Sequence, residues 1–173
     1  MRIKFPVAIA AMAIATVAQA TTIIVSLPEF NGDGTITAQT VGTFNFVIPA
    51  GEHVVTARID GQFGNSVTPS TATQTDLLDG VTVANCAGPG NFCWDSGPEA
   101  WSHVFFSSEL AIFGDGNATL VANQTDCCVV RLGVSTLTLT TASVPEPATW
   151  GLMIVGFGLV GASTRRRSAS VAA

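Results

Sequence analysis

The residues of this chain whose chemistry reaches beyond packing are four cysteines, two histidines and a short run of acids and tryptophans. Cys86, Cys93, Cys127 and Cys128 admit three pairings if all are oxidised. The favoured pair is Cys86 with Cys93, closing a loop around Ala87-Gly88-Pro89-Gly90. So small a loop contributes at most about 2–3 kcal/mol. Neighbouring residues of a strand point to opposite faces. Cys127 and Cys128 are therefore expected as a strained vicinal bridge or as two thiols, the alternative being a cross-pair of one of them with Cys86 or Cys93. Tetrahedral zinc needs Cys or His ligands at short regular spacing, and no Cys-x2-Cys or neighbouring His pair exists, so no metal site is expected. His53 and His103 stand alone, each at the edge of an expected strand. There is no Gly-x-Ser-x-Gly, His-Glu-x-x-His or phosphate-cradling glycine loop, and no catalytic residue is assigned. Asp95 and Glu99 are the one acid pair set among aromatics, beside Trp94 and Trp101. Indole faces stack on sugar rings, and two carboxylates about 5–10 Å apart are what a glycosidase requires. Trp94, Asp95, Glu99 and Trp101 therefore form a candidate glycan platform. They carry the alternative reading, a carbohydrate-binding module or a glycan-active enzyme acting on exopolysaccharide.

Those residues must be carried by an exported domain. Arg2 and Lys4 precede an apolar stretch from Phe5 to Val17, and Ala18-Gln19-Ala20 offers the small-x-small pattern that signal peptidase accepts. The expected product begins at Thr21. Residues 21–143 are long enough for one domain with a core and too short for two. They hold eleven acids against two bases, Arg58 and Arg131, a formal charge of −9. With no cationic patch to neutralise phosphates, nucleic acid is excluded as a partner. The acidity is compatible with calcium binding, but solubility explains it more economically, and no cofactor is expected.

Within 21–143 the strand signals recur and helix signals are scarce. Thr22 to Leu27 is β-branched and ends at Pro28; Phe44, Phe46 and Ile48 alternate with polar residues; Val55, Ala57 and Ile59 alternate with Thr56, Arg58 and Asp60. Further strands are expected at Val81–Ala84, His103–Phe106, Leu110–Phe113, Ala118–Asn123 and Val129–Thr141, the last with Leu137 and Leu139 on one face. One helical turn is expected at Ser107–Glu109, capped by Ser107 or Ser108. Asp-Gly occurs at 33, 60, 79 and 115, and the last two pairs sit between apolar runs as hairpin tips. Short strands with a turn every dozen residues predict an all-β fold, an antiparallel, jelly-roll-like sandwich.

The remaining residues, 144–173, form a tail. Ala148 to Thr164 carries no charge over seventeen positions, about 26 Å as a helix against the ~30 Å of bilayer hydrocarbon. Trp150 suits one membrane interface, and Arg165, Arg166 and Arg167 suit the cytoplasmic side of the other. Pro145 and Pro147 place the helix start just after them. Composition alone describes a transmembrane anchor over 148–164. The order Pro145-Glu146-Pro147-Ala148-Thr149-Trp150, then Met153-Ile154, Gly156-Phe157-Gly158-Leu159-Val160-Gly161 and the three arginines, resembles the PEP-CTERM sorting domain in its Trp-containing variant. Gly151 departs from that variant, which usually carries Ala there. The resemblance implies recognition by an exosortase of a Gram-negative bacterium, removal of the span and transfer from the inner membrane to the cell envelope or surface. In that reading Pro145, Glu146 and Pro147 are substrate residues read by another enzyme. The exported domain is then expected to have a structural or binding role.

Overall fold

A computed structural model of the chain describes residues 20–65, 73–86, 98–125, 129–143 and 147–169, the last with side chains from Trp150 to Gly161. The strands are β1 (Thr21–Leu27), β2 (Phe30–Asn31), β3 (Ala38–Asn45), β4 (Glu52–Phe63), β5 (Gln74–Leu78), β6 (Val81–Cys86), β7 (Glu99–Val104), β8 (Asn117–Gln124), β9 (Arg131–Leu132) and β10 (Ser135–Ser143). One antiparallel sheet runs β1-β10-β4-β9-β2, with β7 also paired to β4, and the other runs β3-β8-β5-β6. Leu27 faces Ser135 and Phe30 faces Leu132, so the register of β1 on β10 continues unbroken into β2 on β9. Pro28, which lacks an amide proton, interrupts one side of this ladder and Gly133-Val134 the other. With β1/β2 taken as the first strand and β9/β10 as the eighth, the sheets read 1-8-3-6 and 2-7-4-5, the winding of a jelly roll.

Alternation builds the core. Along β10, Ser135, Leu137, Leu139 and Thr141 turn inward, and along β8 Ala118 and Leu120 meet the leucines from the opposite sheet. Phe44, Ile59, Leu78 and Phe113 complete this cluster at 0 % exposure. Each such side chain contributes roughly 1.5–3 kcal/mol of transfer free energy. Phe113 is the keystone aromatic, with Phe105 edge-on at 5.0 Å and Phe46 at 6.2 Å between ring centroids. A smaller cluster of Phe63, Ala84, Cys86, Ala122, Val130 and Leu132 fills another part of the sandwich.

Several local expectations give way to tertiary geometry. Val54 is buried and Val55 exposed, because the register of β10 shifts between Thr140, opposite Thr56, and Thr141, opposite Val54. Val55 is the extra residue of a bulge, which reverses the alternation before it. Leu110–Phe113 forms a 3-10 turn that drops Phe113 into the core, and no serine caps it. The preceding turn is held instead by Glu109, whose Oε2 accepts from the Phe106 amide at 2.8 Å. Asp79-Gly80 is a two-residue hairpin tip, with φ of 44° and 86° and Leu78 paired to Val81. Asp115-Gly116 is not a hairpin tip. It links the 3-10 turn to β8, and the Gly116 carbonyl accepts from Phe46. Asp60-Gly61 runs straight through β4, where Trp101 of β7 lies over the bare Cα of Gly61.

Residues Gln19–Ser143 form one compact unit. The tail belongs to a second, whose helix α1 spans Pro147–Ala169.

Candidate functional site

The tail helix starts at Pro147, whose fixed φ and missing amide proton suit the first helical position. Its described side chains are exposed without regard to polarity: Ile154 at 70 %, Phe157 at 73 % and Leu159 at 68 %. Apolar residues occupy every side of the helix. A Cβ added at Gly151, Gly156, Gly158 or Gly161 would meet nothing within 4 Å. The expected transmembrane span over 148–164 needs its ends as well as its middle. Among the described residues no helix is long and apolar enough to cross a membrane. The twelve positions from Trp150 to Gly161 account for about 18 Å of helix. Pro145 and Glu146 lie outside the described residues, as do the side chains of Arg165, Arg166 and Arg167.

At the other boundary, Ala18 lies outside the described residues, Ala20 is exposed, and Thr21 opens β1. Thr21 pairs with Thr141, and Ser143, the last residue of β10, pairs with Glu52. The two expected limits of the domain thus leave it side by side. Beside them is a recess of about 360 Å³ lined by Ile48, Glu52, His53, Val54, Leu110, Ala111 and Gly114.

Of the expected glycan platform, Trp94 and Asp95 lie outside the described residues. Glu99 is exposed at the start of β7. Trp101 is half-buried, its ring over Gly61 and 6.1 Å from Phe63, with a buried Nε1 that has no hydrogen-bond partner. It packs against both core clusters. Cys86 is 2 % exposed and disulfide-bonded. Cys93, Cys127 and Cys128 lie outside the described residues.

Two groups escape a reading of spacing alone. His103 lies edge-on to Phe105 at 4.7 Å, with Nε2 3.6 Å from Glu109 Oε2. The turn at 107–109 brings these two residues together, so neither was isolated in space. Asp76, in the middle of β5, is wholly buried between Ala122 of β8 and Ala84 of β6. Its Oδ1 accepts from Gln74 Nε2 at 2.9 Å, while Oδ2 has no partner. Burial pushes its carboxyl up to about 7, and the Gln74 hydrogen bond offsets this only partly. Gln74 and Asp76, at alternate positions of β5, both face the interior. Among the described residues no three His, Cys, Asp or Glu side chains gather to hold a metal ion.

The PEP-CTERM protein-sorting motif matches residues 143–167 of the chain. No curated protein matches it. Among solved structures the chain is similar to the infectious bursal disease virus VP2 subviral particle, at 12% identity and a TM-score of 0.37. That similarity covers 82% of this chain and 42% of the viral one, so the chain spans less than half the length of this relative.

Proposed function

We propose that this chain, which carries a PEP-CTERM sorting motif at residues 143–167, is an exported protein whose β sandwich is non-catalytic cargo with a structural or binding role. The tail acts as an address. An exosortase reads Pro145-Glu146-Pro147 while the stretch 148–164 holds the chain in the inner membrane of a Gram-negative cell, with Arg165–Arg167 on the cytoplasmic side. Cleavage then frees the sandwich for the envelope or outer surface. The observation that carries this reading is the match at 143–167, joined to a helix whose apolar residues are exposed on all sides. Signal peptidase serves the other end, cutting after Ala20. A glycan-facing role at Trp94, Asp95, Glu99 and Trp101 has less support, since Trp101 is engaged as a packing residue. Calcium would need carboxylates gathered at one point, and no described cluster favours it. Within the sandwich, Cys86–Cys93 is the proposed disulfide.

The test is fractionation of tagged protein with and without Pro145-Glu146-Pro147. The intact chain is expected at the outer envelope or in the medium at reduced mass. The variant is expected in the inner membrane with its tail. Arrival of the variant at the same place and mass would refute the reading.

A further inference from the structure

The carboxylate of Glu52 sits where the first and last strands of the sandwich end. Its Oε1 accepts from Thr21 Oγ1 at 3.4 Å, and its Oε2 accepts from Thr141 Oγ1 in a short contact. The Thr141 hydroxyl also lies 3.3 Å from the carbonyl oxygen of Thr21. Because Thr141 has a single hydroxyl proton, it serves one of these acceptors at a time. The ion pairs among the described residues are Arg58 with Asp60 and His103 with Glu109, so this half-buried carboxylate has no cationic partner there. His53, its neighbour on β4, is exposed and opposite Ala142. A charge held beside two uncharged threonines, at the residue expected to begin the mature chain, invites a cation.

We propose that Glu52 is the counter-ion of the α-ammonium group that signal removal creates on Thr21. The inference rests on the cleavable-signal reading. Hydrolysis of the Ala20–Thr21 amide consumes one water, leaves a carboxylate on Ala20 and gives Thr21 an amine that is protonated at neutral pH. Covalent geometry keeps that nitrogen within about 4 Å of Thr21 Oγ1, which is itself 3.4 Å from Glu52 Oε1, so a rotation of the Glu52 side chain brings its carboxylate to the new ammonium. Before the cut the same nitrogen is a neutral amide and the clamp lacks its charge. The cut therefore completes the contact that ties the start of the mature domain to the strand from which the sorting tail leaves.

The experiment uses the full chain, exported and purified after processing, as wild type, as Glu52→Gln, with Ser-Gly inserted between Ala20 and Thr21, and with both changes. Intact mass locates the new N-terminus. Thermal melting then compares the four, and reductive methylation at neutral pH compares amine reactivity in the two without the insertion. The expected result is a mature wild type starting at Thr21, with a melting point lowered by about 3 °C on insertion and hardly at all when the insertion is made in the Glu52→Gln background. Methylation of the Thr21 amine is expected several-fold slower in wild type than in Glu52→Gln. A mature chain starting elsewhere overturns the signal reading and the clamp together. A start at Thr21 with equal insertion losses, or with equal methylation rates, overturns the clamp alone.

Discussion

The sandwich and the tail use apolar residues in opposite ways. In the sandwich Leu137 and Leu139 alternate with threonines and are wholly buried. In the tail Leu152, Ile154, Phe157 and Leu159 are all more than 60 % exposed. The sandwich finds its low-dielectric surroundings inside itself, so its residues are read by what they touch. The tail leaves its described apolar residues exposed, and it is identified by the order of its residues along the chain. The difference explains why a linear motif identifies an address in one region, while in the other each residue's part follows from its neighbours in space.

The contrast is sharpest where the sandwich has the most to lose. Phe113→Ala removes a ring at 0 % exposure that packs on Phe46 and Phe105. The expected loss is about 3–5 kcal/mol by denaturant titration, with tail processing of the surviving folded protein unchanged. Asp76 comes next. Its carboxyl holds a proton up to about pH 7 in the folded chain, against an ordinary 3.8, so between these values the unfolded state binds fewer protons. Stability is then fullest below pH 3.8, falls as pH rises, and levels off above about 7. The span corresponds to at most about 4 kcal/mol. Asp76→Asn should flatten this part of the pH profile and raise stability at pH 8. A profile unchanged by the substitution would mean that Asp76 does not carry the buried charge.

Much of this architecture is legible in the residues. The β-branched start at Thr22, the Leu137/Leu139 alternation and the Asp79-Gly80 tip each carry their own local instruction, and the winding follows once the strands pair. What was not legible depends on partners distant in sequence. Val55 reads as inward until β10 shifts register against it; Asp60-Gly61 reads as a turn until Trp101 lies across it. Leu110–Phe113 reads as a strand because four apolar residues in a row do not distinguish a strand from a tight turn. For the site, the sorting motif was visible because its reader recognises sequence. Asp76 and the His103–Glu109 pair were not, because burial and proximity are properties of the fold.

Exposed apolar residues offer a direct test of whether the two regions obey different rules. Val47 in the sandwich is 83 % exposed and Ile154 in the tail 70 %, so by accessibility alone they are equivalent. A lysine at Val47 should change stability by less than about 0.5 kcal/mol. A lysine at Ile154 should cost roughly 2.5–3.5 kcal/mol of membrane insertion and leave unprocessed chains outside the membrane fraction. Equal tolerance at both sites would show that the tail does not enter lipid.

Glycine provides the finest comparison. At Gly61 an added Cβ would sit 2.1 Å from Cζ2 of Trp101 and within 2.6 Å of two more ring atoms. The ring packs against Phe63 with centroids 6.1 Å apart, so it makes room only by shifting from that packing position. Gly61→Ala is therefore expected to cost about 1–3 kcal/mol and to change the tryptophan fluorescence of the native state. At Gly156 the same atom meets nothing, and alanine is the better helix former by about 1 kcal/mol. Gly156→Ala should leave the melting of the sandwich untouched. If it nonetheless slows tail processing, the bare glycine surface is itself read, through close approach of a second helix in the membrane.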